Sequence, residues 1–323
     1  MSGFPLPPEV EALLRCPRCG ATVAIEENVV RCSAQHEFST DAGVINFLIE
    51  PADSDLKKTF ESFGYEWTTF PRIQPEDEVF WQSYFRDVPL DELQNAVALD
   101  AGCGKGRFTR FTASHVREIV AFDPSDAILS AVSNLSDVTN ATFIRGDLLN
   151  PPFGPASFGF ISCLGVLHHL PDPQRGLTSL VELLQPGGSM LLYVYSRPTK
   201  RGVRAMALAV ATALRRATVV LPRRAVRLLS APLAAFLYVT FVVPGWIGDR
   251  FTLRRLGELP LATYRGRPVR SLWLDTFDRL SAPLEHRYTS SELRTALLRA
   301  GLQIEKIRED AGWFVVARRA GNV

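Results

Sequence analysis

The chain has 323 residues, of which 46% are hydrophobic and 22% are charged, and its formal net charge at pH 7 is +2. These values are ordinary for a folded protein of one large domain or two smaller ones, and the small net charge gives no general nucleic-acid signature. Five cysteines are an odd number, and the N-terminus lacks a basic-then-apolar pattern, which argues against a secreted disulfide scaffold. We therefore expect a cytoplasmic protein with reduced thiols.

The first segment, residues 10–50, carries a cysteine and histidine pattern. Its spacing is Cys16-x2-Cys19-x12-Cys32-x3-His36, which is typical of a metal site. Four protein ligands leave no open coordination position, so we predict a structural zinc in a zinc-ribbon-like module. A unit of this size buries little core, so a metal would help it to fold. The alternative is that these thiols are core cysteines without a metal.

Residues 51–95 are rich in aromatic side chains with charges between them, and we predict a helical N-terminal lid that packs on a larger body. In this segment Tyr65 and Trp67 are candidates for covering a cofactor, and ordinary core packing is the alternative for both.

From residue 96 the pattern alternates between strands and helices. We predict strands at 96–100, 118–123, 142–145, 159–164 and 190–195, and helices at 106–113, 126–134 and 173–184. A capping box at Thr289 and Glu292 predicts a last helix that ends at Gly301, and two final strands follow at 303–308 and 313–317. This order predicts an α/β fold with a parallel, doubly wound sheet.

The first of these strands ends in a glycine-rich loop. The loop reads Asp100-Ala101-Gly102-Cys103-Gly104-Lys105-Gly106. Glycines at such a turn bring backbone N–H groups and a helix N-terminus close to a ligand. The acid before the glycines suits a ligand that carries an ammonium group, such as S-adenosylmethionine (SAM), better than it suits a pyrophosphate.

Acids also follow the second and third strands. Asp123 ends the second strand, where a carboxylate accepts hydrogen bonds from ribose hydroxyls. Asp147 follows the third, where a carboxylate can accept from the amine of an adenine. Helix capping is the alternative for both residues. Together with Asp100, the series of acids at three successive strand ends predicts a SAM site.

Residues 96–195 resemble the class I SAM-dependent methyltransferases, in the group that includes the ubiquinone and menaquinone methyltransferases. The segments that carry the resemblance are ALDAGCGKGRF, VAFDPS, FIRGDLLNPPF, SFGFISCLGVLHHLPDP and LLQPGGSMLLYVY. The resemblance implies a Rossmann-like, seven-stranded mixed sheet with helices on both faces and an antiparallel last strand. Gly159 departs from the family, which usually has Asp there.

The resemblance also implies a set of cofactor-binding residues, in which the loop glycines contact the methionine part of SAM and the chain near Leu164 closes over it. The set is Asp100, Gly102, Cys103, Gly104, Gly106, Asp123, Pro124, Asp147, Leu148 and Leu164. The N-terminal module resembles the zinc ribbon of bacterial ribosomal RNA guanine methyltransferases and the zinc-ribbon modules ahead of many uncharacterised methyltransferases. That pattern is specific for zinc but not for RNA.

A helical insert is predicted at 197–250, within a methyltransferase domain of 96–323. From Leu183 through Gly248 there is no Asp or Glu, and 228–248 carries no charge at all. Pro232 and Pro244 are expected to interrupt this apolar run. Three interpretations stay open: a lid over the active site, a membrane-surface element that grips a lipid or lipid-linked substrate, and a basic surface that faces RNA.

Methyl transfer needs a positioned nucleophile and sometimes a base. His168, His169 and His286 are the candidate bases, with a structural or capping role as the alternative for each. We predict an enzyme that transfers a methyl group from SAM to a small-molecule or lipid-like metabolite, in the cytoplasm or at the membrane periphery. The alternatives are a ribosomal RNA base methyltransferase and a non-catalytic SAM-binding regulatory module.

Overall fold

The computed structural model describes residues 6–26, 28–199, 202–252, 256 and 259–321. They fall into two compact units. We call Met1–Thr199 with Leu284–Val323 the sheet unit, and Lys200–Pro283 the helical unit. Each is described by itself.

The sheet unit is built on one mixed β-sheet. Its strands are β1 (Val23–Glu26), β2 (Val29–Cys32), β3 (Glu37–Asp41), β4 (Val44–Asn46), β5 (Val97–Ala101), β6 (Glu118–Asp123), β7 (Ala141–Arg145), β8 (Phe158–Leu164), β9 (Leu184–Val194), β10 (Leu302–Glu309) and β11 (Trp313–Arg319). Their spatial order is β1-β2-β3-β4-β7-β6-β5-β8-β9-β11-β10. From β4 to β9 in this spatial order, each strand is parallel to its neighbour. Strand β11 is antiparallel to both of its neighbours, β9 and β10.

The predicted Rossmann-like mixed sheet with an antiparallel last strand is confirmed, but its predicted size is wrong. Strands β5 to β11 are the seven expected ones, and the described sheet has eleven strands in all. The other four come from the N-terminal module, because Val44–Asn46 pairs in parallel with Phe143–Arg145 of β7. Strand β7 would otherwise be an edge strand, with unpaired backbone groups. The module and the sheet therefore share one hydrogen-bonded framework.

Helices are described throughout both units. They are α1 (Pro8–Leu13), α2 (Ser54–Thr69), α3 (Pro75–Phe85), α4 (Arg107–Thr112), α5 (Ala127–Asn134), α6 (Pro173–Leu183), α7 (Val203–Thr218), α8 (Arg223–Leu237), α9 (Val243–Arg250), α10 (Val269–Ser281) and α11 (Ser290–Arg299). The predicted capping box begins α11: Thr289 Oγ1 accepts from the Glu292 N–H, and the Glu292 carboxylate accepts from the Thr289 N–H at 2.8 Å.

The core lies on both faces of the central strands. All five residues of β5 are buried, as expected for a strand covered on both sides. Leu99 packs into the core cluster that includes α6 and α11, whereas Ala98 packs into the cluster formed by Trp81, Phe85 and Phe108 of α3 and α4. Because successive side chains of a strand point to opposite faces of the sheet, the two-sided core fixes the register of the strands. The register in turn sets the positions of the strand ends that carry the acids.

In the helical unit, one long helix runs from Arg223 to Arg250 through α8, a π-helical turn at Tyr238–Val242, and α9. The expectation that Pro232 and Pro244 interrupt this segment is wrong, since the helix continues past both. Pro244 lies in the first turn of α9, where a missing N–H costs least, and the preceding π turn absorbs the change in backbone pairing.

Candidate active site

The glycine loop joins β5 to α4 and takes a left-handed backbone. Gly102, Gly104 and Gly106 have φ of 83°, 55° and 78°, a region that other residues rarely adopt. Space is equally tight: a Cβ on Gly102 would lie 2.1 Å from Val166 Cγ2, and one on Gly106 would lie 2.3 Å from Leu135 Cδ1. The G-x-G-x-G spacing is therefore required both by the turn and by packing around it.

Asp100, just before the glycines, is buried and ties three elements together. Its carboxylate accepts from Thr109 Oγ1 of α4 at 2.6 Å and from Ser162 Oγ of β8 at 3.0 Å. Burial raises the pKa of Asp100, the two hydroxyl groups act in the opposite direction, and the nearby Asp123 raises it further. The sequence did not single out Thr109 or Ser162, because single hydroxyl residues in a helix and a strand carry no distinctive pattern.

Asp123 ends β6 beside the loop. Its Oδ2 accepts from the Gly104 N–H at 2.9 Å, and its Oδ1 accepts from the N–H and hydroxyl of Ser125 at 2.8 and 2.6 Å. Burial raises the pKa of Asp123, and the hydrogen bonds from Ser125 and Gly104 oppose the shift. A carboxylate has about four acceptor positions, so three internal hydrogen bonds leave capacity for a ligand hydroxyl.

The other predicted cofactor residues follow neighbouring strand ends. Asp147, after β7, is half-buried and accepts from the Leu149 N–H at 2.9 Å, while burial raises its pKa. Leu148 and Cys103 are buried, and Pro124 and Leu164 are half-buried. Because β7, β6, β5 and β8 are adjacent and parallel, these residues lie beside one another at the carboxyl ends of the four strands. The structure thus brings the predicted set to one end of the sheet.

Lys105, between the second and third glycines, is buried and connects the loop to the chain around α3. Its Nζ donates to the Arg72 carbonyl at 2.8 Å and lies 3.5 Å from Asp77 Oδ2. The two side chains are only 5% and 7% exposed. Asp77 also accepts from the Gln74 N–H at 2.9 Å and so caps α3. The pair was not predicted, because a lysine inside a glycine loop is its only signal in the sequence.

Trp67 of α2 lies over the same loop. A Cβ on Gly104 would lie 3.1 Å from the indole nitrogen of Trp67, and Lys105 Nζ lies 5.3 Å from the centre of the ring. The Trp67 carbonyl accepts from Ser130 Oγ of α5 at 3.1 Å. Helix α2 therefore rests on both the loop and α5. Tyr65 is half-buried in the same helix.

The three candidate bases lie in different surroundings. His168 and His169 follow β8 and are 0% and 3% exposed. His169 Nδ1 lies 2.6 Å from the Leu284 carbonyl, and because a carbonyl oxygen only accepts, Nδ1 is the donor. His286 donates its backbone N–H to the His168 carbonyl at 2.8 Å, but its side chain is exposed.

Aromatic rings surround the two buried histidines, and we call Phe63, His168, His169 and Tyr195 the aromatic cluster. Ring centroids lie 4.9 Å apart for Phe63 and His169, and 3.9 Å apart for His168 and Tyr195. The Arg287 guanidinium lies 4.9 Å from the Tyr195 centroid and pairs with Glu285 at 2.7 Å. The cluster is thus a buried to half-buried group of aromatic rings with a cation at its border.

The predicted metal ligands converge in the N-terminal module. The ligand atoms of Cys16, Cys19, Cys32 and His36 all lie within 4.8 Å of one another. The Cys19 and Cys32 sulfurs are 3.8 Å apart, and His36 Nδ1 is 3.4 Å from Cys16 Sγ and 3.5 Å from Cys32 Sγ. A tetrahedral zinc ion places two sulfurs about 3.8 Å apart and a sulfur and a nitrogen about 3.5 Å apart. The donor set therefore fits zinc, and the sulfurs are too far apart for a disulfide.

Comparison with known proteins agrees with this geometry. Residues 99–192 match the methyltransferase domain family. This segment runs from β5 into β9 and contains the glycine loop, Asp123, Asp147 and both buried histidines. The match supports the predicted SAM-dependent methyltransferase.

Two relatives with known roles each match about a third of the chain. A tRNA U34 carboxymethyltransferase of Nautilia profundicola is 34% identical over 123 residues, 35% of this chain and 39% of that protein. A ubiquinone biosynthesis O-methyltransferase of Coxiella burnetii is 27% identical over 110 residues, 33% of this chain and 47% of that protein. The chain thus spans less than half the length of these curated relatives. The solved SAM-dependent methyltransferase of Mesorhizobium loti aligns with 77% of this chain and 100% of its own, at 18% identity and a TM-score of 0.45.

Proposed function

We propose that this protein is a SAM-dependent methyltransferase that acts on a small-molecule or lipid-like acceptor. The observation that carries the proposal is the pair of buried carboxylates, Asp100 and Asp123, at neighbouring strand ends around the glycine loop. Their charges repel one another, and burial disfavours both ionised forms. A cationic ligand beside them offsets that cost, and SAM carries both a sulfonium and an ammonium group.

In this proposal Asp123 holds the ribose, Asp147 faces the adenine, and the loop from Gly102 to Gly106 receives the methionine part. When bound, SAM supplies an electrophilic methyl group. The chain's own contribution is to position the acceptor in line with that group and to exclude water, for which Trp67 over the loop and the aromatic cluster are suited.

We assign the base, where the acceptor needs one, to His169. The hydrogen bond to the Leu284 carbonyl orients its ring, so that Nε2 is the nitrogen that would take a proton from the acceptor. We expect His169→Ala to lower kcat for methyl transfer by about 10²-fold or more without loss of SAM affinity, and His286→Ala to have little effect. Equal activity of both variants would remove this assignment.

A lipid-like acceptor fits the surroundings better than RNA does. Among the basic residues of 201–235 there is no aromatic residue until Phe236. A surface for single-stranded RNA would place aromatic rings between its cations. The likeness to a ubiquinone biosynthesis O-methyltransferase supports a lipid-like acceptor. We place the protein in the cytoplasm, at the membrane periphery.

The second part of the proposal is a structural zinc ion held by Cys16, Cys19, Cys32 and His36. The module would then act as a zinc ribbon that extends the sheet of the methyltransferase domain. The likeness to a tRNA U34 carboxymethyltransferase favours RNA as the alternative acceptor.

Calorimetry tests the cofactor assignment directly. We expect the purified protein to bind SAM and not NAD, because the acid before the glycines disfavours a pyrophosphate at the loop. Binding of NAD with no binding of SAM would refute the proposal.

A further inference from the structure

The helical unit exposes an unusual share of apolar surface. Among the described residues, seventeen large hydrophobic side chains are exposed, and fourteen of them lie between 200 and 283. The three in the sheet unit, Val79, Leu129 and Leu298, belong to three separate helices. Single exposed side chains of this kind are normal, whereas a contiguous apolar face on a folded unit marks an interaction surface.

Half of these fourteen residues lie on the long helix Arg223–Arg250. Within the described residues, this is the one helix that is long and apolar enough to cross a membrane, and 22% of its most apolar window is buried. Its exposed large hydrophobic residues are spaced by one, three, four or seven positions and so share one face of the helix. This apolar stripe consists of Leu228, Leu229, Phe236, Val239, Val243, Trp246 and Ile247.

The opposite face of the long helix packs on α10. Ala234 and Val242 are buried in one cluster with Leu272 of α10, and the Trp273 indole N–H donates to Ser230 Oγ at 3.0 Å. Helix α10 carries charged residues of its own, of which Arg270 and Asp275 are exposed. A spanning orientation of the long helix would draw these charges into hydrocarbon, which is costly. An orientation along the membrane surface keeps them in water.

Helix α7 and the turn after it add to the apolar surface. Met206, Val210 and Leu214 are exposed at intervals of four residues on α7, and Val220 in the turn is 80% exposed. Helix α7 is fastened to the end of α10, where Thr218 Oγ1 donates to the Leu280 carbonyl at 2.7 Å. The same supporting helix thus carries both apolar elements.

Charge complementarity identifies the partner. There is no Asp or Glu from Leu183 through Gly248, and exposed arginines bracket the stripe: Arg224 lies one turn before Leu228, and Arg250 lies one turn after Trp246. The acid at the far end, Asp249, is already paired with Arg265 at 2.8 Å. Guanidinium groups bind phosphate well, and tryptophan prefers the interface between water and lipid.

We propose that the apolar stripe binds the surface of an anionic lipid bilayer, with the long helix parallel to the membrane plane and Arg224 and Arg250 at the headgroups. A second copy of the chain is a poorer occupant, since the arginines of two facing stripes would meet without acids between them. The inference rests on the proposed function and deepens it, because binding to the membrane surface gives the enzyme access to a membrane-embedded acceptor.

Vesicle binding by the full chain, without SAM, tests this inference separately from methyl transfer. Vesicles of phosphatidylcholine are compared with vesicles that also contain phosphatidylglycerol, by co-sedimentation and by the emission of Trp246. We expect binding to the anionic vesicles that weakens with added salt, and a blue shift that Trp246→Phe abolishes.

A matched pair of triple variants locates the surface. Leu228→Gln/Phe236→Gln/Val239→Gln changes three exposed residues of the stripe, and we expect its vesicle affinity to fall by about tenfold or more. Val79→Gln/Leu129→Gln/Leu298→Gln makes the same change at similarly exposed positions of the sheet unit and should bind as the unmodified protein does. Both variants should keep their thermal stability, since the side chains are exposed.

Three results would overturn the inference. They are no binding to either vesicle type, a dimer in solution that the stripe variant dissociates, and a protein that only detergent releases from membranes. Vesicle binding without methyl transfer would leave the surface established and refute the proposed enzyme. Methyl transfer without vesicle binding would support the proposed enzyme and refute the membrane-binding surface.

Discussion

Asp123 Oδ2 accepts a hydrogen bond from the backbone N–H of Gly104 at 2.9 Å. The bond fastens the end of β6 to the middle of the glycine loop. The loop and the proposed ribose contact are therefore one structural unit, and a change at Asp123 alters both. This coupling explains why an acid at the end of β6 and a glycine loop at the end of β5 belong together in the site.

Replacement of Asp123 tests the proposed cofactor contact. We expect Asp123→Ala to weaken SAM binding by about 10–100-fold, because hydrogen bonds to a charged group contribute about 1.5–3 kcal/mol. Calorimetry measures the affinity. Asp126→Ala, which removes a nearby exposed acid, is the control and should bind SAM normally. Unchanged affinity in Asp123→Ala would remove the assignment of the ribose contact.

Replacement of Lys105 tests the connection between the loop and α3. Lys105→Met leaves the Asp77 carboxylate buried without its nearest cation, and we expect the free energy of unfolding to fall by about 2–3 kcal/mol. Arg107, whose guanidinium lies 3.8 Å from Asp77, keeps the loss at the lower end of the range for buried pairs.

The double variant Lys105→Met/Asp77→Asn provides the control, with stability measured by urea unfolding. An asparagine oxygen can still cap α3, so the double variant should recover much of the loss. A double variant as unstable as the sum of the two single ones would show that the pair makes no net contribution.

The pH dependence of stability tests the burial of Asp100. Burial raises the pKa of this carboxyl above its ordinary value of 3.8. Over the pH range between the two values, the folded protein holds a proton that the unfolded chain has released. The stabilising contribution of Asp100 is therefore complete below the ordinary pKa and is lost as the pH rises through the raised one.

Asp100→Asn removes that titration and keeps an acceptor for Thr109. We expect the difference in unfolding free energy between the unmodified protein and Asp100→Asn to shift in favour of the variant as the pH rises above the ordinary pKa of 3.8. Urea unfolding across this range measures it. Parallel stability profiles would mean that Asp100 titrates normally.

Metal analysis tests the zinc ribbon. We expect about one zinc ion per chain, loss of the metal in Cys19→Ala, and a lower melting temperature after chelation, because a tetrahedral site needs all four ligands. His286→Ala is the control, since this exposed histidine lies outside the cluster. A metal-free protein that is equally stable would refute the site.

The sequence predicted the order of strands and helices and the edge that carries the acids, because alternating buried strands and turn residues are local signals. It did not predict that the N-terminal module extends the sheet. The pairing of Val44–Asn46 with β7 joins segments about a hundred residues apart, and no local pattern records such a pairing.

Within the site, the sequence identified Asp100 and Asp123 but not what their carboxylates contact. Asp100 accepts from Thr109 and Ser162, and Asp123 accepts from Gly104 and Ser125. These partners follow from side-chain geometry in the packed fold. His286 shows the reverse case, since a candidate base contributes its backbone N–H to the His168 carbonyl while its side chain remains exposed.

The central claim is that the protein transfers methyl groups from SAM to a lipid-like or small-molecule acceptor. The most direct test supplies SAM with a labelled methyl group to the purified protein and a cell extract, and then separates lipid, soluble metabolite and RNA fractions. We predict label in the lipid or metabolite fraction and none with Asp123→Ala. Label confined to RNA, or no transfer by a protein that binds SAM, would contradict the account.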